Sequence, residues 1–328
     1  IFDYHNDYTT LNIPNVNVVD AKINPRLLEA DQFSEVLEIR ENADVQQRVL
    51  RMSFTQEVKE AKEFWEKLEY EVDILVNSED KKLKEIRTSA YRVQDIIEDA
   101  QRRFDDILDP EIGNPMDYIK EGYTNIINIS ELSEKQANVA MGFYLQQLLK
   151  DRKNATIAKH GKTKKQKDYK FFEPVFIILE EAHVFIPKDH DTAAKYWAAK
   201  IAREGRKFGV GLGIVSQRPR SVDLNILSQM GSFAIMKIIQ EDDQRQIASA
   251  TESTSRELIS QLTSLNVGDA VLVGQWTNLP SMVHVEEVKE KKMGADQSAT
   301  KAWIKADKMK NVGVESTQGL VQKDLLLD

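Results

Sequence analysis

Cysteine is absent from the 328 residues, which excludes a disulfide framework and any thiolate-held metal. Histidine is scarce at five residues, so an imidazole-built zinc site is disfavoured too. No apolar run approaches the ~20 residues a membrane-spanning helix needs, and no signal-peptide pattern is present. These absences point to an intracellular, cytoplasmic chain without a membrane partner. Glycine and proline are both missing from Leu27 to Leu108, so nothing there interrupts long helices. The last absence is of a complete phosphate-binding loop, Gly-x4-Gly-Lys-Ser/Thr.

What is present is enough for a sizeable core. At 328 residues and 41% hydrophobic, the chain fits one large domain with an insertion, or two domains. A net charge of −8 argues against a surface coated in nucleic acid. It leaves room for a locally basic channel, because binding is local and net charge is an average.

In the stretch without glycine or proline, Val58, Ala61, Phe64, Trp65, Leu68, Val72 and Leu75 recur at helical steps. Ile86, Ala90, Val93, Ile97, Ala100, Phe104 and Ile107 do the same. Apolar stripes with Glu and Lys on the other faces predict antiparallel helices packed as a bundle, inserted between strands. Pro110, Gly113 and Pro115 punctuate its exit. An α/β rhythm follows. The segment 125–129 is a short β-branched run, and Ser133 to Gln136 is a capping box. Val175–Leu179, Val210–Pro219 and Ser232–Ile239 read as buried strands, with a helix over about Thr192 to Lys207. "DAVLVG" and "SMVHVEEV" read as a closing hairpin. Buried strands alternating with helices predict an α/β fold whose mostly parallel sheet is covered on both faces. Ligands of such sheets bind at the carboxyl ends of the strands.

The residues at those ends are the informative ones. Val175–Leu179 runs into Glu180 and Glu181, with His183 two residues on; the next strand ends in Ser216-Gln217-Arg218-Pro219. The chain opens on Asp3, His5 and Asp7, and Arg203 and Arg206 share one helical face. Paired carboxylates after an apolar strand suit a nucleotide hydrolase. The first orients a Mg²⁺ shell and the second polarises the attacking water. A neighbouring Gln can contact the γ-phosphate, and an arginine can neutralise charge in the transition state. Taken singly, the same residues have plainer readings: a solvated strand end, a helix C-terminus complemented by Arg203 and Arg206, and a packing histidine.

Together, "FIILEEAHVFIP" and "IAREGRKFGVGLGIVSQRPRSVDLNILSQ" resemble the C-terminal part of a HerA-type ATPase of the HerA–FtsK superfamily. These archaeal and bacterial motors form hexameric rings on double-stranded DNA. "IFDYHNDY" resembles the family's "DPHGEY" segment, which follows the phosphate-loop helix. The resemblance is strong from Val175 to Val285, weaker over 125–149 and only positional across the bundle. It implies a RecA-like core over 1–26 and 111–290, a helical insertion over 27–110, and a C-terminal extension over 291–328.

It also implies roles. Glu180 takes the Mg²⁺-orienting place, where relatives often carry Asp, and Glu181 is the general base. Gln217 is the γ-phosphate sensor. Arg206, supported by Arg203, is the arginine finger reaching a neighbouring subunit's ATP. Asp3 and Asp7 lie near the nucleotide, although Asp7 replaces a Glu and Asn6 a Gly. ATP and Mg²⁺ are the implied cofactors. Double-stranded DNA, a homo-hexamer and a NurA-type nuclease are the implied partners. The loops after the strands, with Lys188, Arg218 and Arg220, are the candidate DNA contacts.

Gly161-Lys162-Thr163 is a decoy, since Thr156 stands where the loop's first Gly belongs. Lys159, Lys162, Lys164, Lys165 and Lys167 read as a solvated loop. The phosphate loop is therefore expected upstream of Ile1. A conjugation or DNA-packaging motor, or a non-hydrolysing ring subunit, are the alternative functions. The extension, with Trp303, Ile304 and Leu325–Leu327, is expected to dock on a neighbouring subunit.

Overall fold

Short β-branched runs separated by helical sequence give a sheet in which every pairing is parallel. The strands are β1 (Phe2–Asp3), β2 (Val16–Asp20), β3 (Thr124–Asn128), β4 (Val175–Leu179) and β5 (Val210–Ile214), in spatial order β2-β3-β1-β4-β5. The coordinates are a computed structural model that describes residues 1–40, 42–105, 107–159, 169–251 and 256–287. The Gly161-Lys162-Thr163 triplet, the lysines just after it and the extension with Trp303 and Leu325–Leu327 lie outside the described residues.

Between β2 and β3 the chain forms α1 (Ala30–Val36), α2 (Asp44–Ser53), α3 (Gln56–Glu60), α4 (Phe64–Asn77), α5 (Lys81–Lys84) and α6 (Arg87–Arg103). The two predicted stripes are the buried faces: Val58, Leu68, Val72, Ala90, Val93 and Ile97 have no exposed surface. Helices α4 and α6 lie antiparallel, since Gln101 near the end of α6 bonds Glu69 near the start of α4, while Arg87 reaches Ser78 beyond the end of α4. The neck of this insertion is tied where it leaves the sheet. Ile23 N–H donates to Ile107 O and Asp109 N–H to Ile23 O, at 2.8 and 3.1 Å. Arg26 donates to the carbonyls of Lys59, Ala61 and Pro110 and pairs with Glu111 at 2.6 Å.

The Ser133–Gln136 box is formed in both directions and opens α7 (Glu134–Lys159). This helix packs on α9 (Ala193–Glu204) so closely that a Cβ on Gly142 would sit 2.8 Å from the Cβ of Ala193. Beyond β5 come α10 (Leu224–Leu227), α11 (Glu241–Ala250) and α12 (Arg256–Gln261).

Two expectations are corrected. The run from Ser232 to Ile239 is not a strand of the parallel sheet. Only β6 (Ser232–Ile235) is extended, and it pairs antiparallel with β7 (Asp269–Gly274) in a separate three-stranded sheet closed by β8 (Ser281–His284). The hairpin expected for β7 and β8 is therefore formed, and β6 joins it, because Phe233 and Ile235 pack with Val271 and Val273 in that sheet's own core. Nor, among the described residues, is the parallel sheet covered on both faces at β4 and β5. Phe176 in β4 is 67% exposed and lies across Gly211 and Gly213 of β5. The apolar side chains that do find partners, Ile177 and Leu179, point to the helical side.

Candidate functional site

Three neighbouring strands, β1, β4 and β5, end together, and their next residues converge. After Leu179 the chain turns back sharply. Val215 N–H donates to Leu179 O at 3.0 Å and Ala182 N–H to Val215 O at 2.9 Å. That reversal places Glu181 in the left-handed region, at φ 45° and ψ 42°. For a side-chain-bearing residue this costs about 1–2 kcal/mol, and such outliers gather at functional sites. The short helix α8 (Ala182–Phe185) follows directly.

Glu180 and Glu181 are both buried. Gln217 Nε2 donates to Glu181 Oε1 at 2.9 Å, so the two residues singled out on adjacent strands are in contact. His183 Nδ1 lies 3.1 Å from Glu181 Oε2, close but off the line of a regular hydrogen bond. His5 Nε2 lies 3.6 Å from Oε1. Burial holds the His183 pKa below the usual imidazole value; Arg218 and His5 add to the lowering and Glu181 opposes it.

The opening segment is built around Asp3, which is fully buried. Its two carboxylate oxygens accept the backbone N–H groups of Asp7 and Tyr8 at 3.0 and 2.8 Å. Asn6 adopts φ 59° at the apex. This closes a turn that delivers Tyr8 to Glu180, and the phenol O–H donates to that carboxylate. Burial, and next the Glu180 charge, push the Tyr8 pKa well above its ordinary value, so Tyr8 stays a donor. Its role had no signal in the sequence beyond its place in the segment. Asp3 thus contacts the turn, while Asp7 stands half-exposed on its rim.

A family model described as "Helicase HerA, central domain" matches residues 1–148. A probable DNA double-strand break repair helicase HerA of Methanocaldococcus jannaschii is 31% identical over 349 residues, covering 94% of this chain and 69% of that protein. The chain belongs to the HerA family. A DNA double-strand break repair helicase HerA of Sulfolobus acidocaldarius is 37% identical over 321 residues, 93% of this chain. The chain spans only 62% of that relative's length. Among solved structures, VirB4 of Thermoanaerobacter pseudethanolicus superposes with a TM-score of 0.58 at 12% identity, covering 88% of this chain and 82% of that one. Plasmid coupling protein TrwB with ADP and Mg²⁺ gives 0.52 at 10%, covering 87% and 77%. The fold is thus RecA-like, with a helical bundle inserted.

In this HerA chain Arg203 and Arg206 lie far from the carboxylates. Strands β4 and β5 are parallel, and α9 returns from the end of the first to the start of the second. Val175 N–H donates to Gly209 O at 2.8 Å, which fixes Arg206 beside the strands' beginnings. The carboxylates are at their ends, a five-residue strand or about 17 Å away. Both arginines are exposed.

The candidate DNA residues are better gathered. Lys188 N–H donates to Ser221 O at 3.0 Å, Asp223 N–H donates to Ile186 O at 2.9 Å, and Pro187 bridges to Val222. The loops after β4 and β5 are therefore one hydrogen-bonded unit, on which Lys188, Arg218 and Arg220 are exposed. Arg220 also lies 3.9 Å from Asp242, which lowers its availability to phosphate. Among the described residues no cluster of three or more metal-ligating side chains exists, and no helix is long and apolar enough to cross a membrane. The carboxylate oxygens of Glu180 at the strand end are donors of the kind that suits a hard cation keeping most of its water, as Mg²⁺ does.

Proposed function

We propose that this chain is the catalytic part of a Mg²⁺-dependent ATPase that moves along double-stranded DNA as a homo-hexameric ring. The single observation that carries the reading is the contact of Gln217 with Glu181, which joins a γ-phosphate sensor to a general base in the pattern the HerA resemblance implies. Membership of a family whose relatives are named DNA double-strand break repair helicases supports DNA as substrate, and repair of DNA ends as the setting. A NurA-type nuclease partner and a cytoplasmic location belong to the same reading. In it, residues 1–26 and 111–290 form the ATPase core, 27–110 the insertion and 291–328 the extension.

Glu180 orients the hydrated cation and Tyr8 orients Glu180. Glu181 takes the proton of the attacking water, and Gln217 leaves it to meet the γ-phosphate. Asp7 borders the nucleotide, while Asp3 holds the turn that positions Asp7 and Tyr8. Bound Mg²⁺ supplies charge neutralisation on the phosphates. The phosphate loop comes from residues outside this chain. Two features support that: among the described residues β5 is paired on one edge only, and the face bearing Phe176, Gly211 and Gly213 is open beside it. Because Arg206 lies a strand length from its own carboxylates, it acts on a neighbouring subunit's ATP, with Arg203 beside it.

The test is ATP turnover by the full-length protein with and without duplex DNA, beside Glu181→Gln. Loss of a general base lowers the rate by about 10²- to 10⁴-fold. Turnover unchanged in the variant would remove Glu181 from the role. Undetectable turnover by the intact protein would favour a structural ring subunit.

A further inference from the structure

One ammonium joins both exposed loops to α9. Lys195, in the first turn of that helix, has a side chain only 14% exposed. Its Nζ lies 3.1 Å from Asp223 Oδ2 and 3.3 Å from Asp191 Oδ1, and it donates to His190 O at 3.0 Å. Three acceptors match the three donors of an ammonium group, so Lys195 is not itself a phosphate contact. His190 and Asp191 belong to the loop after β4, which carries Lys188. Asp223 ends the loop after β5, which carries Arg218 and Arg220.

Both ends of this clamp are fixed. Thr192 Oγ1 accepts the Lys195 N–H at 2.9 Å and donates to Phe185 O at 2.6 Å, and Ala193 is lodged against Gly142 of α7. At the other end, Asp223 Oδ1 accepts the N–H groups of Asn225 and Ile226 at 2.9 and 3.2 Å, capping α10. That leaves Oδ2 for Lys195. The backbone bonds between the loops hold them to each other. Helix α11 supports the second loop, where Asp243 Oδ1 accepts the Arg220 N–H at 2.9 Å and Gln246 Nε2 donates to Val222 O at 3.1 Å. Lys195 reaches both loops from α9.

We propose that Lys195 is a positioning residue for duplex DNA, setting the loop that bears Lys188 level with the loop that bears Arg218 and Arg220, so that a phosphate backbone meets three cations at once. The inference rests on the reading that these loops contact DNA. Phosphate contacts fix a protein's register on the duplex, and the backbone's charges are regularly spaced, so cations held at a set separation bind it better than cations that wander. Removing the ammonium leaves the Asp223 carboxylate buried without its counter-charge. It also frees Asp191 from its partner, and the loop bearing Lys188 then shifts against α9.

The experiment measures the affinity of the full-length protein for a fluorescently labelled duplex by anisotropy, beside DNA-free ATP turnover and melting temperature. Wild type is compared with Lys188→Ala/Arg218→Ala, Lys195→Met and Lys195→Met/Asp223→Asn. The last keeps the net charge and, because Asn caps helices as Asp does, the start of α10. Lys195→Met is expected to raise the duplex Kd by about tenfold, which is about 1.4 kcal/mol. DNA-free turnover, made by residues with no shared partner, stays within about twofold. Lys195→Met/Asp223→Asn, with no unpaired buried charge at Asp223, recovers melting temperature but keeps the raised Kd. Wild-type Kd in both Lys195 variants, with binding weakened in Lys188→Ala/Arg218→Ala, overturns the positioning role alone. Kd and melting temperature returning together in the double variant, or DNA-free turnover falling as far as affinity, would make Lys195 a structural residue only and also overturns it. Wild-type Kd in Lys188→Ala/Arg218→Ala removes DNA from these loops, and the inference falls with that reading.

Discussion

Glu181 and Glu180 are adjacent in the chain, yet the fold gives them different company. Glu181 turns through a left-handed conformation to meet Gln217 and two histidines. Glu180 meets Tyr8, and in the proposed reading its work as the metal-orienting carboxylate depends on how that phenol holds it. Tyr8→Phe keeps the ring and removes the donor. Partners of this kind typically change metal affinity by 10- to 100-fold, so the variant should need roughly tenfold more Mg²⁺ for half-maximal ATP turnover, with little change in melting temperature. A Mg²⁺ titration of turnover checks it, and an unchanged midpoint would separate Tyr8 from the cation. Glu180, Glu181 and Gln217 were legible because charged and polar residues after apolar strands are unusual and their spacing is distinctive. The place of Tyr8 was not, since a tyrosine five residues beyond a buried Asp3 has no pattern until the turn closes.

The elements around the site are held by close backbone approach. At Gly142, a Cβ would also come within 2.9 Å of the Ala193 backbone, with no flexible side chain to yield. Gly142→Ala therefore forces α7 and α9 apart, and overpacking of this kind costs about 1–3 kcal/mol, more than the helix propensity it gains. A lowered urea midpoint for the variant is expected, and one equal to wild type would show that α9 shifts freely. The stripe over Val58–Leu75 falls on α3 and α4 and the stripe over Ile86–Ile107 on α6, because a 3.6-residue stripe needs only local sequence, while α1, α2 and α5 had no stripe to mark them. The strand β2 was not predicted, and β6 was assigned to the wrong sheet. A run of four or five apolar residues does not encode its partner.

At the scale of the molecule, the separation of Arg206 from Glu181 makes each chain an incomplete enzyme in the proposed reading. An arginine finger contributes roughly 10³- to 10⁵-fold in related phosphoryl transfers, so full-length Arg206→Ala and Glu181→Gln should each be nearly inactive alone. Mixed and reassembled, they should regain measurable turnover, because some interfaces then pair an intact Glu181 with an intact Arg206. Mixtures as inactive as their parents would place Arg206 outside the site.

The sequence by itself determined the fold class, the helical insertion and the residues at the strand ends. These follow from local periodicity and from the cost of placing charge after buried strands. Only the tertiary structure decided that β1, β4 and β5 end side by side, that Arg203 and Arg206 lie at the other end of the sheet, and that the Lys195 ammonium joins both exposed loops to α9. Those facts depend on strand order and turn geometry, which are set by long-range packing that no single stretch of the chain contains.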